Sequence, residues 1–210
     1  RLYPDLIQHQ PVNQAGFRKN FSVHDNLFVV NQLIEKTNEY NLPLHIAFLD
    51  NEKAFDSIEH PFLWKTLVNQ GVNNRYIKLL KSIYECSKAK ININGCSSSP
   101  FDINRGFKQG CVLSTLLFIS AQEEIFKEID FSLIGVDINN EKLNHLRLAD
   151  DTCVTTSKKE DLEYAMDEIT IKSEIAGLRI NYNKTKIISN TPDNDYKILG
   201  NDIEKVISYK

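Results

Sequence analysis

Two adjacent aspartates close an apolar run at Leu148-Ala149-Asp150-Asp151, between Leu146 and Val154, and a third, Asp50, ends the run Leu44-His45-Ile46-Ala47-Phe48-Leu49 about a hundred positions earlier. A run that stops at paired acids and resumes as Cys153-Val154 reads as a hairpin whose turn aims both carboxylates at one point. An Asp-Asp pair alone is ordinary turn chemistry. Asp50 adds a second argument, because it terminates a nearly continuous apolar stretch, the pattern of a central strand covered on both faces. Like charges held so close need a cation. Deprotonated Asp oxygens are hard ligands that suit Mg²⁺, which takes one or two carboxylates and leaves its other positions to water and substrate phosphates. Two such ions, about 3.5–4 Å apart, can serve an in-line displacement, as in polymerases and nucleases. The chemistry indicated is phosphoryl or nucleotidyl transfer.

The elements that must position these acids follow from periodicity and punctuation. Ser22 with Asp25 can cap a helix running to about Tyr40, its apolar positions Leu27, Val30, Leu33 and Ile34 recurring at helical spacing. Pro43 separates that helix from the strand ending at Asp50. Residues 51–59 read as irregular, followed by helices from Pro61 to Gln70, stopped by Gly71, and from Arg75 to about Tyr84. Ala89–Asn94 alternates as a strand, Gly95–Pro100 is turn chemistry, and Phe101–Asn104 can pair back. A long helix spans about Leu113 to Ile129. Leu133–Ile138, Asn139-Asn140 and Leu143–Leu148 form a hairpin-like passage into the acids. A helix over Glu160–Ala176, stopped by Gly177, precedes short strands at Leu178–Tyr182 and Thr185–Ile188. The predicted class is α+β: an antiparallel sheet carrying the acids, with helices packed on its other face.

At 210 residues, with Pro and Gly too sparse at 6 and 8 to mark a linker, one continuous domain is expected. The net charge of −3 lacks the basic footprint of a free-standing nucleic-acid binder. Cys86, Cys96, Cys111 and Cys153 show no ligand spacing, so neither zinc nor a disulfide framework is expected. His9, His24, His45, His60 and His145 form no ligand set and read as structural or surface residues. No stretch approaches the ~20 apolar residues of a membrane span, and Arg1-Leu2-Tyr3-Pro4-Asp5 lacks a signal core. A soluble, intracellular protein (cytoplasm and nucleus), with no membrane partner, is expected.

Six segments carry a family resemblance in register: Gln14-Ala15-Gly16-Phe17-Arg18, Phe48 to Ser57, Arg105 to Cys111, Leu146 to Asp151, Gly177 to Asn181 with Lys184-Thr185-Lys186, and Tyr196 to Gly200. They resemble the ordered motifs of non-LTR (LINE-type) retrotransposon reverse transcriptases over residues 10–203, with wording nearest the RTE-like lineage. The resemblance implies a polymerase palm with partial fingers across residues 1–210: residues 1–43 as fingers leading into the palm, 44–190 as palm, and 191–210 as the start of the primer-grip region. It implies an RNA-directed DNA polymerase, a nucleotidyltransferase that uses two Mg²⁺ ions (Mn²⁺ as substitute), with an RNA template, a DNA primer and a dNTP as partners. On the same resemblance the chain begins after the fingers motifs and ends before a thumb, and the full-length protein would carry thumb and endonuclease domains.

Residue by residue, the resemblance implies that Asp50, Asp150 and Asp151 are the metal-binding acids. Phe55 falls at the family position beneath the incoming sugar, where its ring would exclude a 2′-hydroxyl; by itself it reads as a core aromatic. Gln109-Gly110 matches the nucleotide-site pair, glycine permitting close backbone approach, and alone reads as a turn. Lys184 matches a lysine that protonates or neutralises departing pyrophosphate, or is a plain exposed lysine. Arg18 matches an arginine near the nucleotide, or braces the fold. Asp56 reads as a cap or surface ion pair. Tyr196 and Leu199-Gly200 match the primer-gripping hairpin, or are an ordinary strand and turn. Departures are Asn51, Leu148, and Val112 and Thr115 in place of two prolines; none removes a metal ligand, while the last two loosen the turn into the long helix. Two competing readings stand beside the polymerase: a decayed or co-opted palm that only binds nucleic acid or protein, and a metal-dependent nuclease, which leaves Gln109 and Phe55 unexplained.

Overall fold

The apolar run before Asp50 becomes the inner strand of a four-stranded antiparallel sheet. The computed structural model describes residues 2–108 and 110–207. In chain order the elements are α1 (Leu2–Ile7), α2 (Val23–Glu39), β1 (His45–Leu49), α3 (Ala54–Ser57), α4 (His60–Asn69), α5 (Asn74–Glu85), the short strands β2 (Lys88–Ala89), β3 (Asn92–Ile93), β4 (Cys96–Ser97) and β5 (Phe101–Asp102), α6 (Val112–Lys127), β6 (Val136–Ile138), β7 (Glu141–Leu143), β8 (His145–Leu148), β9 (Asp151–Thr156), α7 (Lys159–Ile175), β10 (Lys186–Ser189), β11 (Tyr196–Ile198) and β12 (Asn201–Ile203). The sheet order is β10-β1-β9-β8, with the remaining strands in two-stranded ribbons.

Alternation along β1 divides two cores. Ala47 and Leu49 face the larger one, with Val154, Ile187, the α6 residues Leu117 and Phe118, and the α7 residues Leu162, Ala165 and Met166. Ile46 and Phe48 face the smaller one, where Leu146 and Cys153 meet Val30 and Leu33 of α2. The period of two thus covers both faces of the strand. Helices therefore lie on both faces: α6 and α7 back the sheet as expected, and α2 covers part of the face that bears the acids. Helix α2 starts at Ser22, whose hydroxyl accepts from the His24 N–H, while Asp25 returns the capping-box bond to the Ser22 N–H at 2.9 Å. Helix α6 is buried nearly all round, including Ser120, Gln122 and Glu123, which marks it as the central helix.

Four expectations are corrected. Residues 51–59 are not wholly irregular: α3 is a single turn, entered through Lys53 at φ 46° and tied by Ser57 Oγ donating to the Lys53 carbonyl at 2.9 Å, too short to leave a period in the sequence. The strand expected over 89–94 breaks into β2 and β3, and Cys96-Ser97, read as turn, pairs with β3. The strand expected at Leu143–Leu148 divides at Asn144, because Thr155 takes both preceding carbonyls, its N–H donating to Asn144 O at 2.8 Å and its Oγ1 to Leu143 O at 2.9 Å. Leu178–Tyr182 forms only an isolated bridge from Ile180 to Asn51, since the chain facing it is already turning away from β1. The Asn139-Asn140 turn, with φ of 52° and 70°, has both central residues left-handed, as a two-residue hairpin requires.

Candidate active site

Register brings the three acids together. Leu49 lies opposite Thr152 on β9, so one step onward sets Asp50 beside Asp151. Leu148 pairs with Asp151 across the β8–β9 hairpin, leaving Ala149 and Asp150 as its two-residue turn, with Ala149 at φ 57°. Directly opposed residues of an antiparallel pair point to the same face. The loops are stitched around them: the Asn181 N–H donates to Asp50 O at 2.8 Å, the Asp50 N–H to Thr185 Oγ1 at 3.3 Å, and Asn51 Nδ2 to Asp150 O at 3.4 Å.

The electrostatics favour a cation. Although Asp151 is exposed as a residue, enclosure of its carboxyl, and then the charges of Asp150 and Asp50, hold its pKa above the ordinary carboxylate range. Asp50 Oδ2 is buried without a hydrogen-bond partner, and the Lys184 ammonium stands 3.8 Å away on a side chain 70% exposed. Among the described residues no three His, Cys, Asp or Glu side chains enclose an ion by themselves. One or two carboxylates suffice for Mg²⁺, which completes its shell with water and phosphate oxygens. A carboxylate oxygen that accepts no hydrogen bond and faces only an exposed ammonium, beside mutually repelling acids, is a donor set that fits such an ion.

Phe55 borders a hollow of about 430 Å³ with Lys108, Gly110, Cys111, Val112, Ser114 and Thr115. Its ring is stacked on Phe118 at 4.3 Å and 19° and meets Phe17 and Phe107 edge-on. Phe55 thus packs on the core while one side of it borders the hollow. Gly110 sits at φ 80° with open space where a Cβ would be, so the backbone turn is what requires glycine within this chain. Gln109 lies outside the described residues. A second hollow, about 470 Å³, runs between α2 and the sheet past Phe48, Leu146 and Leu148 to Asp151.

The remaining candidates spread more widely. Arg18 Nη1 donates to the Gln14 carbonyl at 3.0 Å and to that of Pro11, with the guanidinium 4.1 Å over the Phe21 ring, so it braces its own loop in this structure. Asp56 lies on α3, where Gly106 passes so close that a Cβ there would be 2.7 Å from the Asp56 backbone. Tyr196 and Leu199-Gly200 do form a hairpin, β11–β12, whose turn residues have φ of 46° and 81°. Tyr196 is buried, its hydroxyl 2.8 Å from His45 Nδ1.

The whole arrangement has a family counterpart. Residues 1–203 match the family model described as reverse transcriptase (RNA-dependent DNA polymerase). The chain belongs to the reverse transcriptase family. This reverse transcriptase domain is 29% identical over 171 residues, 81% of the chain, to the retrovirus-related Pol polyprotein from the type-2 retrotransposable element R2DM of Drosophila melanogaster. It is 28% identical over 166 residues, 78% of the chain, to the transposon TX1 149 kDa protein of Xenopus laevis. It spans 16% and 13% of those relatives' lengths. Relatives named for retrotransposable elements agree with the non-LTR resemblance. Among solved structures, apo telomerase from Candida tropicalis superposes with a TM-score of 0.70 at 17% identity, covering 97% of this chain and 38% of that one. Its complex with a telomeric RNA fragment gives 0.69 at 18%, covering 97% and 35%. The shared fold is the α+β palm-type sheet backed by helices.

Near the acids lie buried polar residues to which the sequence reading gave no role of their own. Arg147, 1% exposed between two apolar strand neighbours, donates from Nη2 to Glu123 Oε2 at 2.5 Å and lies 4.2 Å over the Phe126 ring. Gln14 and Gln122 are buried partners at 2.8 Å. A charge inside a strand, and polar residues on a helix otherwise apolar all round, were the signals available. Among the described residues no helix is long and apolar enough to cross a membrane.

Proposed function

We propose that this domain performs RNA-templated DNA synthesis, transferring a nucleotide from a dNTP to a primer 3′-hydroxyl. The observation that carries the reading is the convergence of Asp50 on Asp150 and Asp151 at one end of the sheet. Bound Mg²⁺ or Mn²⁺, held by Asp50, Asp150 and Asp151, would lower the pKa of the attacking hydroxyl and neutralise charge on the leaving phosphates. The chain's own side chains supply the rest. Phe55, fixed by its stack on Phe118, gives the sugar a flat floor without room for a 2′-hydroxyl. Gln109 and Gly110 lie along the nucleotide, and Lys184, beside Asp50, carries the proton or charge that departing pyrophosphate needs. Arg18 serves the nucleotide end of the site by ordering the loop from Pro11 to Phe21. The hairpin β11–β12 holds the primer, and thumb and endonuclease domains complete the longer polyprotein.

Extension of a primed RNA template with dNTPs and Mg²⁺ tests this in the full polypeptide that carries the chain. Asp150→Ala is expected to lose several kcal/mol of transition-state stabilisation, on the order of a thousandfold in rate. Unchanged incorporation in that variant would refute the assignment of the acids, and no incorporation by the wild-type polypeptide would favour a domain that only binds.

A further inference from the structure

The side chain of Gln14, in the motif Gln14-Ala15-Gly16, has no part in the chemistry above, yet the motif packs closely on the acidic hairpin. Residues 13–15 run along the outer edge of β8, with the Arg147 N–H donating to Asn13 O at 2.7 Å and the Ala15 N–H to Arg147 O at 2.9 Å. The next residue passes directly under the turn: a Cβ at Gly16 would lie 2.3 Å from Ala149 N, so only glycine permits the approach. Gln14 is fully buried. Its Oε1 accepts from the Ala149 N–H at 3.1 Å and the Gly16 N–H at 2.7 Å, while its Nε2 donates to Gln122 Oε1 at 2.8 Å. A single amide thereby joins the turn, its own loop and α6.

Ala149 is where such a tie matters. A left-handed alanine is disfavoured by its Cβ and persists only where the surroundings over-determine it. Asp150 follows directly, so any relaxation of Ala149 swings the Asp150 carboxylate away from Asp50 and Asp151. The neighbouring residue on α6, Glu123, grips Arg147 of the same hairpin, so consecutive helix residues hold the strand and its turn. The first turn of α6 lines the hollow beside Phe55, which makes this helix a rigid link between the nucleotide side and the acids.

We propose that Gln14 is a positioning residue of the active site, its buried amide locking the Ala149–Asp150 turn to α6 so that the Asp150 and Asp151 carboxylates are set for divalent-cation binding. The inference rests on the catalytic reading above and adds a role for a residue that touches neither ion nor substrate. Groups that orient metal ligands typically change metal affinity or activity by about 10- to 100-fold when removed.

The test uses Gln14→Met, similar in length but without the amide, in two measurements. Mn²⁺ binding to the chain, followed by loss of the free-ion paramagnetic resonance signal, is expected to weaken by about 10- to 100-fold. Primer extension by the full polypeptide is expected to lose kcat by a similar factor, with KM for the dNTP within about twofold, because the nucleotide-side hollow is untouched. A variant that melts earlier but keeps wild-type Mn²⁺ affinity and kcat would overturn the proposal, since Gln14 would then be structural alone. If Gln14→Met does not fold, Gln122→Met decides: it cuts the tie to α6 and leaves the Ala149 N–H its acceptor, and weaker Mn²⁺ binding supports the proposal while unchanged binding overturns it. Asp150→Ala separates the two levels of the argument. Mn²⁺ affinity unchanged in that variant refutes the catalytic reading, whereas affinity lost there and retained in Gln14→Met removes only the role given to Gln14.

Discussion

At Phe55 the proposed selection of the sugar depends on how the ring is packed. Its ring is pinned by the stack on Phe118 and the edges of Phe17 and Phe107, so it cannot rotate aside for a bulkier sugar without breaking contacts in the core. Phe55→Val keeps an apolar surface and opens the floor. Its expected effect is a fall in dNTP-over-rNTP preference of about 10- to 200-fold, roughly 1–3 kcal/mol, measured as the ratio of kcat/KM for the two substrates. Preference unchanged in this variant would mean that the sugar lies elsewhere. Asp50 makes the same residue-scale point, since its buried Oδ2, which accepts no hydrogen bond, becomes intelligible only once Asp151 is seen across the strand pair.

At the scale of elements, α6 is the member on which both halves of the site depend. Its first turn borders the Phe55 hollow, Phe118 supports the Phe55 ring, Glu123 holds Arg147 of the acidic hairpin, and Gln122 reaches the hairpin through Gln14. Phe118→Ala removes a fully buried ring from the main core. We expect a loss of about 3–5 kcal/mol in unfolding free energy by urea denaturation, the range for large-to-small core aromatics. A loss below about 1 kcal/mol would show that the core collapses around the gap. The periodic helices α2, α4, α5, α6 and α7 were legible in the sequence because each carries caps or an apolar stripe over several turns. Short elements were legible only in part: the return of Phe101 onto Ala89 was expected and is present, but α3 is one turn and β2 to β5 have two residues each, too few for their bounds to register.

For the whole molecule, burial of His145 makes stability sensitive to acid. It packs against Phe126 and Phe131, with ring centroids at 4.7 and 4.9 Å, and burial followed by the Arg147 charge pushes its pKa down to about 3. His45 is shifted the same way, chiefly by burial. A histidine with a depressed folded value stays neutral in the native state and binds a proton only on unfolding. Its contribution is complete above the unfolded value of about 6.5 and is lost as pH falls toward about 3. Unfolding free energy should therefore fall below pH 6.5 with a slope approaching about 1.4 kcal/mol per pH unit for this one site. Urea midpoints at pH 7 and 5.5 measure it, and His145→Gln should flatten the dependence. An equal slope in that variant would assign the sensitivity to other groups.

The sequence alone determined the type of chemistry and the order of the parts, since carboxylates at strand ends, a capped helix and left-handed turn residues are local facts set by backbone sterics and periodicity. It also carried the family resemblance through six segments in register. Only the tertiary structure decided which distant residues meet. The strand register that sets Asp50 beside Asp151, the buried Arg147–Glu123 pair and the bridge from Gln14 to Ala149 and Gln122 all join segments far apart in the chain. Such contacts exist only once burial has removed water as the competing partner, and that condition belongs to the folded whole.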